Sequence, residues 1–276
     1  MDNVLPSPPS SLRCRDLVVR YADQPAVLDR LSCDVPAGEI VSLVGQSGCG
    51  KTTLLRTLAG LQPASSGRVE IQPPAEAQRG RMAFVFQQPT LLPWRTALEN
   101  VSLAIQLCST ASGRQAARRA AEELAAMELP AAAMGRFPRQ LSGGMKMRVS
   151  LARGLVMRPT VLLLDEPFAA LDDMSRTALG ELLLRRWEAR PFTAVLVTHN
   201  IAEATLLSHR IFVMAAGQLG PEIIDDLPRP RDQSLRASAQ FGRLYGQVAA
   251  ALRQDPATVA SRDMAAPGAT TAGGEE

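Results

Sequence analysis

Gly45-Gln46-Ser47-Gly48-Cys49-Gly50-Lys51-Thr52 decides how the rest of this 276-residue sequence is read. A glycine, four residues, then Gly-Lys-Thr is the P-loop pattern, which requires a strand before it and a helix after it. Both flanks comply: Ile40 to Val44 is an unbroken apolar run, and Lys51 to Ala59 reads as a helix stopped by Gly60. The glycines let the backbone curl so that its N–H groups converge on a β-phosphate above the positive end of the helix. Gly45, Gln46, Ser47, Gly48, Cys49 and Gly50, with Lys51, Thr52 and Thr53 opening the helix, form the candidate cofactor-binding set. Lys51 is expected to neutralise β/γ oxygens and Thr52 to offer its hydroxyl to Mg²⁺. A glycine-rich turn that binds nothing is the competing reading, and it fails because every fixed position is filled in the required context. Cys49 lies at a helix N-terminus, where thiols can be activated; it is read either as a reactive cysteine or as a small tolerated filler.

Outward from this loop the sequence is that of an α/β protein. Leu12 to Val35 reads as strands broken at Asp23-Gln24-Pro25, and Pro36-Ala37-Gly38 turns the chain into the apolar run. Arg68 to Ile71 and Met82 to Phe86 read as further strands. Thr96 to Met134 is rich in Ala, Leu, Glu and Arg, which suits a small helical insertion with a break at Gly113. Val161 to Leu164 and Thr193 to Val197 are apolar without alternation, as central parallel strands covered on both faces are. Beyond Gly220 the pattern weakens, but Phe241, Leu244, Tyr245, Val248 and Leu252 recur at helical spacing. The expected divisions are a flexible N-terminus over 1–11, a main domain over 12–220, an extension with one helix over 221–254, and a disordered tail over 255–276, whose Ala, Gly, Thr and Pro offer little to bury.

Asp165 and Glu166 follow Val161 to Leu164 at the point where a buried strand should end, and open α/β sheets bind ligands at the carboxyl ends of their strands. Asp165 is expected to hold Mg²⁺ through its water shell, and Glu166 to polarise a water attacking the γ-phosphate. An Asp-Glu pair alone is commonly a solvated strand end; the P-loop makes the hydrolytic reading the stronger one. His199 follows Thr193 to Val197 and can reach the same crevice, although a lone histidine is more often structural. His209, in a polar Ser-His-Arg run, is read as structural.

Composition narrows the partners. A 46% hydrophobic content supports a sizeable core, and a net charge of +3 without a dense Lys/Arg block gives nucleic-acid binding no support. No apolar run approaches the length of about 18 residues that crosses a bilayer, and Met1 to Ser11 does not read as a signal peptide. Cys14, Cys33, Cys49 and Cys108 form no Cys-x-x-Cys pair, so reduced thiols are expected rather than a zinc site or a disulfide framework.

Leu141-Ser142-Gly143-Gly144-Met145-Lys146-Met147-Arg148 resembles the signature of ATP-binding-cassette (ABC) proteins, and it precedes the Asp-Glu strand as it does in that family. Ser142 is a good N-cap, and the Ser142, Gly143 and Gly144 amides at a helix start make a second anion site. The resemblance implies that two subunits meet head to tail, each signature covering the other's ATP. Other positions match the family in order over roughly Leu12 to Gly220. Tyr21 resembles the aromatic that stacks on adenine, Gln87 the glutamine that senses Mg²⁺ and the membrane partner, and Asp172 of Ala170-Leu171-Asp172 the inter-subunit loop. His199 resembles the switch histidine on the γ-phosphate. Met145 stands where glutamine is common and Asn200 where aspartate is, the latter putting local hydrogen bonding in question.

The fold implied is a P-loop NTPase of the ABC ATPase type: a RecA-like core sheet, an antiparallel β-subdomain, and a helical subdomain inserted over about residues 90–158. Phe86-Gln87-Gln88-Pro89, Leu91-Leu92-Pro93-Trp94, Glu99-Asn100-Val101 and Leu227-Pro228-Arg229-Pro230-Arg231 look most like the ATPases of nitrate, taurine and sulfonate importers. By that resemblance the chain is a peripheral subunit on the cytoplasmic face of the inner membrane. Its ligands are ATP and Mg²⁺; its partners are a second ATPase copy, separate permease subunits and an extracytoplasmic substrate-binding protein. Leu91 to Trp94 is read either as the permease contact or as side chains that pack inside. An exporter ATPase shares all this chemistry, whereas a soluble cassette ATPase usually carries paired cassettes or long coiled-coil inserts, absent here. A P-loop kinase would leave Ser142 to Gly144 without a purpose.

Overall fold

The computed structural model describes residues 8–22, 24–73 and 81–253. Its centre is a sheet in the order β5-β6-β7-β3-β8-β9: Met82–Val85 (β5), Val161–Asp165 (β6), Thr193–Thr198 (β7), Ile40–Gly45 (β3), Arg210–Ala215 (β8) and Gln218–Ile224 (β9). All pair in parallel except β9, which runs antiparallel along the edge. A second sheet, in the order β2-β1-β4, is antiparallel and consists of Leu28–Val35 (β2), Ser11–Val19 (β1) and Ser66–Gln72 (β4).

The unalternating apolar strands have no exposed residue because each face of the central sheet has its own cover. Leu162, Leu164, Ala194 and Leu196 point into a core shared with the helical insertion, whereas Val161, Leu163, Val195 and Val197 point into one shared with β1 and β2. The helical insertion is Ala97–Cys108 (α2), Gly113–Ala126 (α3), Ala131–Met134 (α4) and Gly143–Leu155 (α5), while Lys51–Leu58 (α1) packs under the P-loop. Capping boxes at Thr96/Glu99 and Ser112/Gln115 set where α2 and α3 begin. The break therefore precedes Gly113, which is already the first residue of α3. No helix among the described residues is long and apolar enough to cross a membrane.

Two of the expected boundaries move. Ser10 and Ser11, assigned to a flexible terminus, are instead built in: Ser11 starts β1, and buried Ser10 donates its hydroxyl to Thr160 Oγ1 at 3.1 Å. The boundary at Gly220 falls inside β9, because an edge strand pairs on one side only and can carry Gly220 and Pro221. The expected tail over 255–276 lies outside the described residues.

After β9 the chain turns back on the body as a strap ending in Ala239–Arg253 (α8), which buries Phe241, Leu244 and Val248. Asp225 and Arg231 form an ion pair at 2.8 Å with side chains 0% and 1% exposed. Burial pushes the Asp225 carboxyl up to about 6 and Arg231 below its usual value, each despite its partner. Nearby, the Arg229 guanidinium stands 4.9 Å from the centroid of the Trp187 ring, which packs 4.7 Å from that of His209.

His209 Nδ1 accepts the Ile40 N–H at 2.9 Å, and burial, followed by the Arg229 charge, pushes the imidazole from 6.5 down to about 4. Below pH 6.5 the unfolded chain therefore takes up a proton that the folded chain refuses until about pH 4, so this group's contribution to stability falls with pH across that window. Asp225, raised from 3.8 to about 6, acts oppositely, its stabilising share being lost as pH rises through the same range. His209→Asn keeps an acceptor for Ile40 and is expected to gain on the natural chain by about 3 kcal/mol between pH 6.5 and 4. Urea midpoints across that window check it, and parallel curves for the two proteins refute it.

Candidate functional site

The P-loop leaves the carboxyl end of β3 under tight steric control. A Cβ at Gly45 would lie 2.2 Å from the Met214 carbonyl oxygen of neighbouring β8, so no side chain fits there. Gly50 has φ +106 and would set a Cβ 3.0 Å from the Val27 carbonyl, so conformation and space both demand glycine. Lys51 is buried, and its ammonium donates to the carbonyl oxygens of Gly45 and Gln46, each at 2.8 Å. Those neutral acceptors satisfy the ammonium's hydrogen bonds and leave its charge available to an anion. Val27 N–H donates to the Val19 carbonyl at 2.8 Å, which closes the turn carrying Tyr21 beside Gly50 and leaves that ring 41% exposed.

Asp165 is the last residue of β6, and its Oδ1 accepts the Thr52 hydroxyl at 2.8 Å. Burial pushes the Asp165 carboxyl up, opposed by the Thr52 hydrogen bond and by the charges of Arg56 and Lys51. Glu166 takes φ +44, uncommon for a residue with a Cβ, while its N–H donates to the Val197 carbonyl at 3.0 Å. That turn swings the carboxylate to 3.0 Å from His199 Nδ1, so strand-end residues of β6 and β7 meet over one crevice. Backbone strain held in place by two hydrogen-bonded neighbours is a mark of functional positions. Asn200 caps Ile201–Leu207 (α7), its Oδ1 accepting the Glu203 N–H at 3.2 Å, so asparagine keeps the hydrogen bond expected of an aspartate here.

Ser142 caps α5 through the Met145 N–H at 3.3 Å, and Asp172 caps Asp173–Ala189 (α6) through the Ser175 N–H at 2.9 Å. The two helix starts adjoin: the space beside Gly143 ends at Leu171 and that beside Gly144 at Ser175. Gln87 is exposed just past β5, at the same carboxyl edge as Asp165 by register. Arg153 of α5 donates to the Pro89 and Thr90 carbonyls at 3.1 and 2.9 Å, tying the loop after Gln87 to the helix that Ser142 caps. Leu91 packs on the core while Trp94 stands 70% exposed, so the segment divides between the two readings.

Two positioning residues carried no sequence signal. Arg153 is one. The other is Arg176 of α6, which donates to the Leu171 carbonyl at 2.9 Å and lies 3.2 Å from Glu203 of α7. Pro89, Thr90 and Glu203 are far from them in sequence, so no local pattern marks these contacts.

A cation at Thr52 and Asp165 would meet oxygen donors only, which suits a hard divalent ion completed by water and phosphate oxygens. Among the described residues there is no cluster of three or more His, Cys, Asp or Glu side chains able to hold a metal by themselves.

A family model described as ABC transporter matches residues 28–169. The aliphatic sulfonates import ATP-binding protein SsuB 1 of Mesorhizobium japonicum is 44% identical over 229 residues, covering 83% of each chain. Its namesake from Pseudomonas fluorescens is 44% identical over 225 residues, covering 82% of this chain and 81% of its own. Among solved structures, a post-hydrolysis dimer of an ATP-binding cassette bound to ADP and Pi superposes with a TM-score of 0.71 at 31% identity, covering 79% of this chain and 100% of that one. A dimeric bacterial ABC transporter cassette superposes with a TM-score of 0.70 at the same identity and coverage.

Proposed function

The chain belongs to the ABC transporter family, and from that premise we propose that it powers the import of aliphatic sulfonates. It is an ATP-binding, ATP-hydrolysing transporter subunit. The observation that carries the mechanism is the convergence of Thr52, Asp165, Glu166 and His199 at the carboxyl ends of β3, β6 and β7.

In this reading the Gly45 to Thr53 loop wraps the phosphates, Tyr21 stacks on adenine, and Lys51 exchanges a loop carbonyl for phosphate oxygens. Thr52 and Asp165 would hold Mg²⁺, with Gln87 at the same carboxyl edge of the sheet, and the ion would supply charge that offsets the phosphates. Glu166 takes a proton from the attacking water, and His199 orients that carboxylate and reaches toward the γ-phosphate. Ser142, Gly143 and Gly144 present helix-start amides to the ATP of a second copy, and Asp172 lies beside them at that interface. The dimeric neighbours support the pairing. ATP held between two subunits favours the closed dimer by its differential affinity, and closure moves permease subunits that contact the Trp94 surface on the cytoplasmic side of the membrane. An extracytoplasmic binding protein delivers the solute. The names of the relatives favour sulfonates over nitrate or taurine.

The test is uptake of a labelled alkanesulfonate in cells whose own gene is replaced by Lys51→Ala. ATP binding by the purified variant and sulfonate uptake should both fall by about tenfold or more. Unchanged ATP binding refutes the phosphate assignment. Intact sulfonate uptake alongside lost taurine or nitrate uptake refutes the substrate class while leaving the motor in place.

A further inference from the structure

Cys14 and Cys33 face each other directly across the antiparallel β1/β2 pair, their sulfurs 3.2 Å apart. Both are buried in the core beneath the small sheet, with Leu12, Leu31 and Val35 around them. A disulfide is about 2.05 Å long and joins residues at the spacing of cross-strand neighbours, so these sulfurs need to close by only about 1 Å, within reach of side-chain rotation. We propose that Cys14 and Cys33 are a redox modification site, dithiol at rest and converted by peroxide to an intramolecular disulfide.

The two thiols share one hydrogen bond in which either sulfur can donate, and their surroundings differ. The Cys33 hydrogen bond is the largest influence holding the Cys14 thiol below its usual value, while the same contact and burial push Cys33 well above. Cys14 is then the nucleophile: its thiolate attacks one peroxide oxygen, the S–O bond forms, the O–O bond breaks, and the departing hydroxide takes up a proton to leave as water. The Cys33 sulfur attacks the resulting sulfenic acid; the S–S bond forms, the S–O bond breaks, and the second water leaves with the Cys33 proton. Two thiols lose two electrons and two protons, and one peroxide is reduced to two waters. Hydrogen peroxide is close to water in size, and Cys33, 8% exposed on the edge strand β2, is the pair's side toward solvent, from which peroxide has to pass to Cys14, 0% exposed and 3.2 Å behind it. The cross-link joins β1 to β2 and encloses the turn that carries Tyr21, so oxidation restrains the adenine side of the site and leaves Gly45 to Thr53 covalently untouched.

The experiment treats the purified full chain with stoichiometric hydrogen peroxide, alkylates the remaining thiols after unfolding, and maps disulfide-linked peptides by mass. The expected result is a Cys14–Cys33 link in most of the monomer, lost on adding dithiothreitol, with a Tm about 5 °C above that of the reduced protein because a loop of about 20 residues is closed in the unfolded chain. Cys33→Ser should stop at a Cys14 sulfenic acid that dimedone captures. Full alkylation of Cys14 and Cys33 while Cys49 or Cys108 carries the oxidation overturns the proposal, as does a link found only between chains. The natural chain alone gives that decision, whatever the serine variant does to folding.

Discussion

Glu166→Gln should bind ATP as the natural chain does and hydrolyse it at least about a hundredfold more slowly, the usual share of a positioned general base. The substitution keeps size and a hydrogen-bonding atom for His199 Nδ1, now at 3.0 Å from the carboxylate, and removes only the capacity to take a proton. On the proposed cycle, in which hydrolysis ends the closed state, ATP should also collect the variant as a dimer. Steady-state phosphate release and size-exclusion chromatography with ATP are the two measurements. Near-natural turnover removes Glu166 from the base role, and the next candidate on the geometry is His199 itself. Loss of ATP binding places the defect in the strained turn at φ +44 rather than in proton transfer.

Arg231→Ala is the change expected to cost the most stability. Its guanidinium pairs with Asp225 at 2.8 Å and donates to the Leu227 carbonyl at 3.2 Å and the Leu206 carbonyl at 3.4 Å, with a further bond to Ser208. Removing it strands a carboxylate and several carbonyls away from water. Breaking a buried pair on one side costs about 3–5 kcal/mol, which lowers the Tm of a chain this size by about 10 °C. Hydrolysis per folded molecule should fall far less than stability, since Arg231 bonds to none of Thr52, Asp165, Glu166 or His199, whereas the far end of α8, Ala251 to Arg253, lines a pocket with Gln46 to Cys49. A Tm drop under about 2 °C means that the strap rearranges and the pair does not hold it.

The contrast between these two predictions follows what was legible in the sequence. Lys51, Asp165 and Glu166 declare themselves because phosphate chemistry needs fixed residues at short, fixed spacing, and the strand-end positions of Asp165 and His199 follow from two apolar runs. The central strands were legible for the same reason, being covered on both faces. β8 and β9 carry no such signal: Gly220 and Pro221 inside β9 are breakers anywhere but on a sheet edge, and β8 opens on the arginine of a polar Ser-His-Arg run. Leu227 to Arg231 was visible as a motif, yet its role depends on Asp225 being folded back beneath it. Ser10 was hidden in the same way, since its partner Thr160 comes from the far side of the helical insertion.

Arg176 joins things that the chain keeps apart. One guanidinium grips the Leu171 carbonyl just before Asp172 and the Glu203 carboxylate on the helix that follows His199. Glu203 is in turn fixed by the Thr198 hydroxyl at 2.6 Å, and burial pushes its carboxyl up. The loop proposed to face a second copy and the loop proposed to face the terminal phosphate are therefore tied to one guanidinium. On the proposed reading, docking of a second copy at Asp172 and placement of His199 would be joined through this one side chain.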